Sequence, residues 1–377
     1  MQSENMKTLI LGSLVWDSIW GHSQEFTTIL SKDHEVTYLE PVVHSSNLSL
    51  SFQRTTENPI PDNVFIIKRD INLGLNALYG IYCELNNLYH LMWFDYEIFI
   101  TYYTTCAILP TLFSRLMGKK VVLMYVDDLA EWYEPKVAKY LTKYLFTPLV
   151  VKFSNLTVTT AHKLEKSAKI YNKNVKCIPN GVNLGDFQNR TTSNGPVHNA
   201  HEFIVGFVGS FGSRINYEML IETANLLKNE KNIKFLFAGG GDGFEYFNRK
   251  INELNLDNVY LLDVIPHSEV PPIISRMDLC IIPFKINRLT DCISPVKLFE
   301  YWAMGKPVIS TSFYEIKKIA KDKVMFADNS DELRDAILTL KNNKNLQKKY
   351  ANFGLQEVKK YDWKILGEQY LKLIANL

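Results

Sequence analysis

Cysteine is scarce in this 377-residue chain: five residues, Cys83, Cys106, Cys177, Cys280 and Cys292, odd in number and never spaced C-x-x-C. That scatter excludes a disulfide-framed mini-domain and a zinc knuckle, and it fits reduced thiols used for packing. A charge excess of either sign is also missing. Lys+Arg 42 against Asp+Glu 40 leaves a formal charge of +2, so there is no global field of the kind that coats nucleic acid, and any basic site has to be local. Long apolar runs are absent too. The opening MQSENMKTLILG meets polar Ser13 and Asp17 after a stretch too short for a secretory leader. The greasiest stretch, 88–117, is broken by Asp95, Glu97, Pro110 and Arg115, whereas a membrane span needs about 20 apolar residues in a row. The expectation is a chain that is neither exported nor membrane-spanning and that works in the cytoplasm. The sequence shows no low-complexity tract and no solenoid repeat.

What is present is alternation. With 46% hydrophobic residues, 377 residues suffice for two domains of about 150 each. Short β-branched or aromatic runs at 8–11, 35–39, 64–67, 98–103, 121–125 and 156–159 alternate with helix-spaced segments, as parallel strands with crossover helices do. One such segment, 134–151, carries Val137, Tyr140, Leu141, Tyr144 and Leu145 at i, i+3, i+4, i+7 and i+8, which predicts a helix whose apolar stripe covers the sheet. Residues 184–202 lack periodicity and read as a linker. Strands then restart at 203–208, 234–237, 259–262, 279–282, 308–310 and 324–326. Asn329 with Glu332 forms a capping box that starts a helix.

Two such sheets predict a ligand cleft at the C-terminal ends of their strands. Candidate chemistry gathers at three loops of the second half. In FVGSFGSR, Gly209 and Gly212 bracket a turn before a helix near Asn216, where backbone N–H groups can approach an anion and Arg214 supplies a cation; a bare tight turn is the plainer reading. The spacing is not the dinucleotide fingerprint G-x-G-x-x-G. The run Gly239-Gly240-Gly241-Asp242-Gly243 reads equally well as a strand-to-helix turn. The third loop says more: in DCISPVKLFEYWAMGKPVIST, Ser294 and Pro295 open a helix, yet Lys297 sits in its first turn, where the helix dipole disfavours a cation. A bound phosphate resolves that conflict, and Glu300 one turn on can accept hydrogen bonds from a ribose diol.

The set IPNGVN (178–183), FVGSFG, FAGGGDG, VIPHSEVPPII (264–274) and SPVKLFEYWAMGKPVIST resembles the donor half of GT-B glycosyltransferases, and is similar above all to glycosyltransferase family 4 in a bacterial envelope-polysaccharide variant. The resemblance implies two Rossmann-like doubly wound α/β domains facing a cleft. Residues 1–183 form the acceptor domain, 184–202 the linker and 203–358 the nucleotide-sugar domain, with 359–377 a C-terminal helix returning to the first domain. It implies transfer of a sugar from a nucleotide diphospho-sugar to a glycan or lipid-linked acceptor in cell-envelope polysaccharide synthesis. The rival readings are a nucleotide-sugar epimerase of the same fold and a non-catalytic nucleotide-binding partner subunit. The implied donor contacts are Gly209, Gly212, Arg214, Ile265, Ser294, Pro295, Val296, Lys297 and Glu300. The family's first Glu, eight positions before Glu300, is here Cys292, with Asp291 one place off, and the Lys that usually accompanies Arg214 is absent, leaving Lys297 as the second cation.

In the first half, Asp127 and Asp128 end the strand 121–126 and are candidate catalytic carboxylates, with helix capping as the plainer role; adjacent residues on extended chain point opposite ways, so one of the two faces the cleft. The loop after the first strand offers Trp16, Asp17 and His22 as acceptor contacts, with Trp16 also readable as core. No cofactor and no metal is expected, since no D-x-D motif ends a strand, and no nucleic-acid partner. Lys136, Lys139 and Lys143 form a basic helical face, either solvated or resting on anionic lipid at the inner face of the plasma membrane.

Overall fold

The computed structural model describes residues 6–18, 20–42, 57–69, 79–132, 136–188 and 202–377. The chain divides into two compact units, Met1–Pro179 with Gly367–Leu377, and Asn180–Leu366. The first runs β1 (Met6–Leu11), α1 (His22–Leu30), β2 (His34–Leu39), β3 (Val64–Ile67), α2 (Tyr79–Trp93), β4 (Ile98–Thr101), α3 (Ile108–Leu116) and β5 (Lys120–Tyr125). It continues through α4 (Lys136–Leu141), a π-helical turn (Thr142–Phe146), α5 (Thr147–Phe153), β6 (Leu156–Thr159), α6 (His162–Ala168) and β7 (Val175–Cys177). All seven strands pair in parallel in the order β3-β2-β1-β4-β5-β6-β7. Parallel strands covered on both faces read as unbroken apolar runs, and β4 is an example, with all four residues buried.

The second unit contains α7 (Leu184–Gln188), β8 (Phe203–Val208), α8 (Tyr217–Leu226), β9 (Ile233–Ala238), α9 (Phe244–Glu253), β10 (Val259–Leu262), α10 (Val270–Ser275) and β11 (Leu279–Ile282). It goes on through α11 (Val296–Ala303), β12 (Val308–Ser310), α12 (Tyr314–Ala320), β13 (Met325–Phe326), α13 (Ser330–Asn342), α14 (Lys344–Glu357) and α15 (Trp363–Ala375). Its six strands are parallel in the order β10-β9-β8-β11-β12-β13. Both sheets have a central pair, β1/β4 and β8/β11, from which the strand order runs outward in opposite directions; such a switch point opens a crevice at the strands' C-terminal ends. Asn329 caps α13 as the sequence predicts, with Glu332 N–H donating to Asn329 Oδ1 at 2.9 Å, but the return bond to Glu332 comes from Asp328 N–H and from Asn329 Nδ2, at 2.8 Å each, rather than from the Asn329 N–H of a full capping box.

Two expectations are corrected. The helical stripe of 134–151 does not cover the sheet: helix begins at Lys136, Glu134 lies outside the described residues, and Val137, Tyr140, Leu141, Tyr144 and Leu145 are 43–71% exposed. Periodicity shows that a helix has an apolar face but not what the face meets. The linker is also shorter at its start than 184–202. Residues 184–188 are helix α7, 189–201 lie outside the described residues, and the chain joins the second unit at Asn180, because Asn180 N–H donates to Ser294 Oγ and Val182 N–H to the Tyr361 carbonyl. Helix α15 is shared: its residues from Gly367 onward group with the first unit, and Trp363 to Leu366 with the second.

Candidate functional site

The loop after β8 is built jointly with the loop after β9. Gly209 N–H donates to the Ala238 carbonyl (2.9 Å), Phe211 N–H to Gly240 (2.8 Å) and Gly243 N–H to Phe211 (2.8 Å). Gly239, at φ +144°, lies so close that a Cβ there would stand 2.0 Å from the Gly209 carbonyl oxygen. Phe211 at the tip is fully buried among Phe207, Phe244 and Phe247. The sequence could not decide whether the second glycine run was a ligand loop or a turn; in the structure it is the brace that fixes the first. The bracing consumes the N–H groups of Gly209 and Phe211, so Ser210, Gly212 and Ser213 are what this loop can offer an anion.

Against Gly209 lies Lys297, whose Cε is 3.3 Å from where a Gly209 Cβ would be. Lys297 Nζ donates to Glu300 Oε2 at 2.8 Å, with the Glu300 side chain 5% and the Lys297 side chain 24% exposed. The next residue, Tyr301, is fully buried, and its hydroxyl accepts the Val208 N–H at 3.0 Å; burial holds its ionisation far above the ordinary tyrosine range. Helix α11 is thereby tied to the last residue of β8. A cation, a carboxylate and a glycine backbone are held together on a rigid strand end and helix start, the elements best suited to fixing a ligand.

The other expected donor contacts fall around this centre. Arg214 is half-buried, and its carbonyl accepts the Lys285 N–H at 2.8 Å beside the antiparallel Ile215–Phe284 bridge, which places a second cationic residue next to it. The Lys285 ammonium lies 5.8 Å from the centre of the Tyr217 ring. Gly212 accepts the Tyr217 hydroxyl at 2.6 Å. Ser294 is buried, with its hydroxyl receiving Asn180 N–H at 3.0 Å and its carbonyl Asn180 Nδ2 at 3.2 Å, so its clearest work is to fasten residue 180 to the helix start. Pro295 caps α11 and accepts Leu298 N–H, Val296 is exposed, and Ile265 packs against the unit's core beside Val264, which abuts Gly240. Asp291, one place from the family's first Glu, accepts Tyr314 N–H at 2.8 Å and so caps α12.

In the first unit, Asp127 and Asp128 follow β5 and lead into a short 3-10 turn, Leu129–Trp132; Asp128 is buried and Asp127 half-buried. The three expected acceptor residues are all otherwise engaged. Trp16 is corrected outright: its ring is fully buried, edge-on to Tyr38 at 5.1 Å, and has no face left for a sugar. Asp17 pairs with Lys68 at 2.8 Å. His22 has Tyr102 Oη at 2.9 Å from Nδ1 and Tyr370 Oη at 3.0 Å from Nε2, which ties α1 to the end of β4 and to α15. Burial pushes its pKa down to about 3, so the ring is neutral and both nitrogens are occupied. Among the described residues, no three His, Cys, Asp or Glu side chains come together as a metal site. No helix among them is long and apolar enough to cross a membrane.

Comparison with known proteins supplies what geometry alone does not. Residues 202–343 match the family model for glycosyl transferases group 1. The match lies wholly within the second unit, from the start of β8 to the end of α13. Over 216 residues the chain is 26% identical to TuaH of Bacillus subtilis (strain 168), a protein named for glycosyl transfer in teichuronic acid biosynthesis; the match covers 56% of this chain and 53% of TuaH, so it spans about half that relative's length. Among solved structures, sucrose-phosphate synthase from Thermosynechococcus elongatus superposes with a TM-score of 0.76 at 16% identity, covering 98% of each chain. Anabaena Alr3699/HepE in complex with UDP and glucose gives 0.71 at 14% identity, covering 99% of this chain and 100% of that one. The architecture is thus that of two parallel-sheet α/β domains, shared with GT-B glycosyltransferases. The group 1 match spans Gly209, the Gly239 brace, Lys285, Lys297, Glu300 and Tyr301. Sequence reasoning missed two of these. Tyr301 carries a local signal only in hindsight, because its partner Val208 lies 93 residues away, and Lys285 gains its meaning from a bridge that no spacing rule reports.

Proposed function

We propose that the chain transfers a sugar from a nucleotide diphospho-sugar to a glycan or lipid-linked acceptor in the synthesis of a cell-envelope polysaccharide. The observation that carries this reading is the Gly209–Lys297–Glu300 cluster lying inside the group 1 match. In this site the diphosphate sits at the start of α11 and draws Lys297 away from Glu300, freeing a Glu300 oxygen to accept from ribose hydroxyls. Arg214 and Lys285 add positive charge on the same side of the loop. The bond from the anomeric carbon to the phosphate oxygen breaks, its electron pair leaves with the nucleoside diphosphate, and the preorganised cations and helix terminus take up that charge. The acceptor oxygen bonds to the anomeric carbon and gives its proton either to a carboxylate, for which half-buried Asp127 has better solvent access than buried Asp128, or to the departing phosphate.

Protein cations supply the charge in this reading, so it invokes no metal. Uridine nucleotides are the first donors to try, because the Anabaena neighbour holds UDP and glucose. The reading places the protein in the cytoplasm, with Lys136 and Lys143 facing an anionic membrane and Lys139 held by Glu131 at 2.6 Å. Incubation with UDP-, GDP- and dTDP-sugars, following nucleotide release with and without acceptor, tests the assignment. Acceptor-dependent release supports it; sugar isomerisation without release points to an epimerase, and saturable binding without turnover to a non-catalytic subunit.

A further inference from the structure

Right-handed crossovers from β3 to β4, β4 to β5 and β5 to β6 all step in the same direction across the first sheet, so α2, α3 and α4–α5 lie on one of its faces, while α1, which steps back from β1 to β2, lies on the other. Helix α2 packs beside α3, and α3 beside α5. The outer side of this layer is apolar. On α2, Ile81, Leu85, Tyr89, Met92 and Trp93 recur at i, i+4, i+8, i+11 and i+12, and each is more than half exposed, Trp93 at 73%. Leu116 at the end of α3 is 87% exposed, and the stripe beginning at Val137 on α4 and the π turn, in the same layer, is exposed as well.

Charge on these helices is one-sided. Across 79–93, 108–116 and 136–153, Glu84 is the only acid, against Arg115, Lys136, Lys139, Lys143 and Lys152. Glu84 is itself engaged, accepting Ile108 N–H at 3.0 Å and Leu109 N–H at 3.1 Å as the cap of α3. An apolar face flanked by cations, with Trp and Tyr among its exposed residues, has the composition of a surface that rests in a lipid headgroup region. A second copy of the chain would bring a second array of cations against the first, which disfavours self-association through this face.

We infer that the outer face of the α2–α3–α4 layer docks on an anionic lipid bilayer, with Trp93 and the α2 stripe entering the interface and the α4–α5 lysines contacting the headgroups. The inference deepens the membrane part of the proposed function, and its test uses no sugar nucleotide, while UDP binding is measured without vesicles, so either can fail alone. The full chain is mixed with phosphatidylglycerol–phosphatidylcholine vesicles and with phosphatidylcholine vesicles, and followed by co-sedimentation and by quenching from brominated lipid. Binding to the anionic vesicles with quenching that disappears in Trp93→Phe is the expected result. The exposed-site variant Leu85→Ser/Trp93→Ser should bind at least about tenfold more weakly, since it removes two apolar side chains that docking withdraws from water. Lys136→Glu/Lys143→Glu should also lose about tenfold or more, because it replaces two attractive charges at the anionic surface with repulsive ones. Circular dichroism and UDP affinity should be unchanged in all of these. Failure to bind anionic vesicles at low salt, binding indifferent to the α2 variant, or concentration-dependent dimerisation that the α2 variant abolishes would each overturn the proposal.

Discussion

The Lys297–Glu300 pair lends itself to a dissection with partial ligands. The two side chains satisfy each other at 2.8 Å, Glu300 almost fully buried and Lys297 about a quarter exposed. A charged hydrogen bond of this kind contributes about 1.5 to 3 kcal/mol. If a diphosphate takes Lys297 and a ribose takes Glu300, the two residues should separate by ligand. Lys297→Met should weaken UDP and pyrophosphate by about 10- to 100-fold, the same 1.5 to 3 kcal/mol, and leave uridine nearly untouched. Glu300→Gln should weaken uridine by about tenfold yet tighten pyrophosphate, because Lys297 no longer has a competing carboxylate. UDP, which feels both changes, should shift less than uridine does. Calorimetric titration of the three ligands against wild type and both variants provides the readout. Pyrophosphate affinity unchanged in Lys297→Met, or pyrophosphate weakened in Glu300→Gln, would refute the assignment of phosphate to one residue and ribose to the other.

Gly239→Ala places a Cβ 2.0 Å from the Gly209 carbonyl at a φ of +144°, so urea unfolding should show a loss of at least about 3 kcal/mol, and wild-type stability would mean the two loops are not braced as described. Tyr301→Phe keeps the buried ring but strands the Val208 N–H; a loss of about 1 to 3 kcal/mol is expected in the same assay, and UDP affinity should fall with it because α11 loses its tie to β8. His22, pushed down to about 3 from an ordinary 6.5, stays neutral in the fold while the unfolded chain takes up a proton first. Its contribution is therefore fully present above about pH 6.5 and is lost as pH falls toward 3, at no more than about 1.4 kcal/mol per pH unit, a slope that His22→Gln should flatten. Asp127→Asn should cut turnover by about 10²- to 10⁴-fold with UDP affinity intact if that carboxylate is the base; full activity would mean the acceptor proton leaves another way.

Of the thirteen strands among the described residues, twelve stand close to where apolar runs place them, because a strand buried on both faces leaves an unambiguous block such as FIVGFV. The exception, β7, is the three-residue edge strand VKC, with an exposed Lys176 in its middle, too short to read as a block. The Lys297–Glu300 pair was legible for a physical reason: a lysine in the first turn of a helix contradicts the dipole, and i, i+3 spacing brings the two side chains together. The first unit's site residues were harder to read. Trp16, Asp17 and His22 belong to types that often bind sugars, but Tyr38, Lys68, Tyr102 and Tyr370 claim them, and those partners lie up to 348 residues away. Likewise, the α4 stripe was correctly periodic and wrongly oriented, since covering a face is a property of the neighbours.

In the proposed reaction the Gly209–Lys297–Glu300 cluster holds a nucleotide diphospho-sugar whose sugar is passed to an acceptor. Its most direct test is acceptor-dependent release of nucleoside diphosphate from a panel of sugar nucleotides, measured side by side for the wild type and Lys297→Ala. Release with matching incorporation of sugar into the acceptor is expected for the wild type, and loss of both in Lys297→Ala. Equal turnover in the two proteins, or an isomerised donor with no nucleotide released, would contradict it.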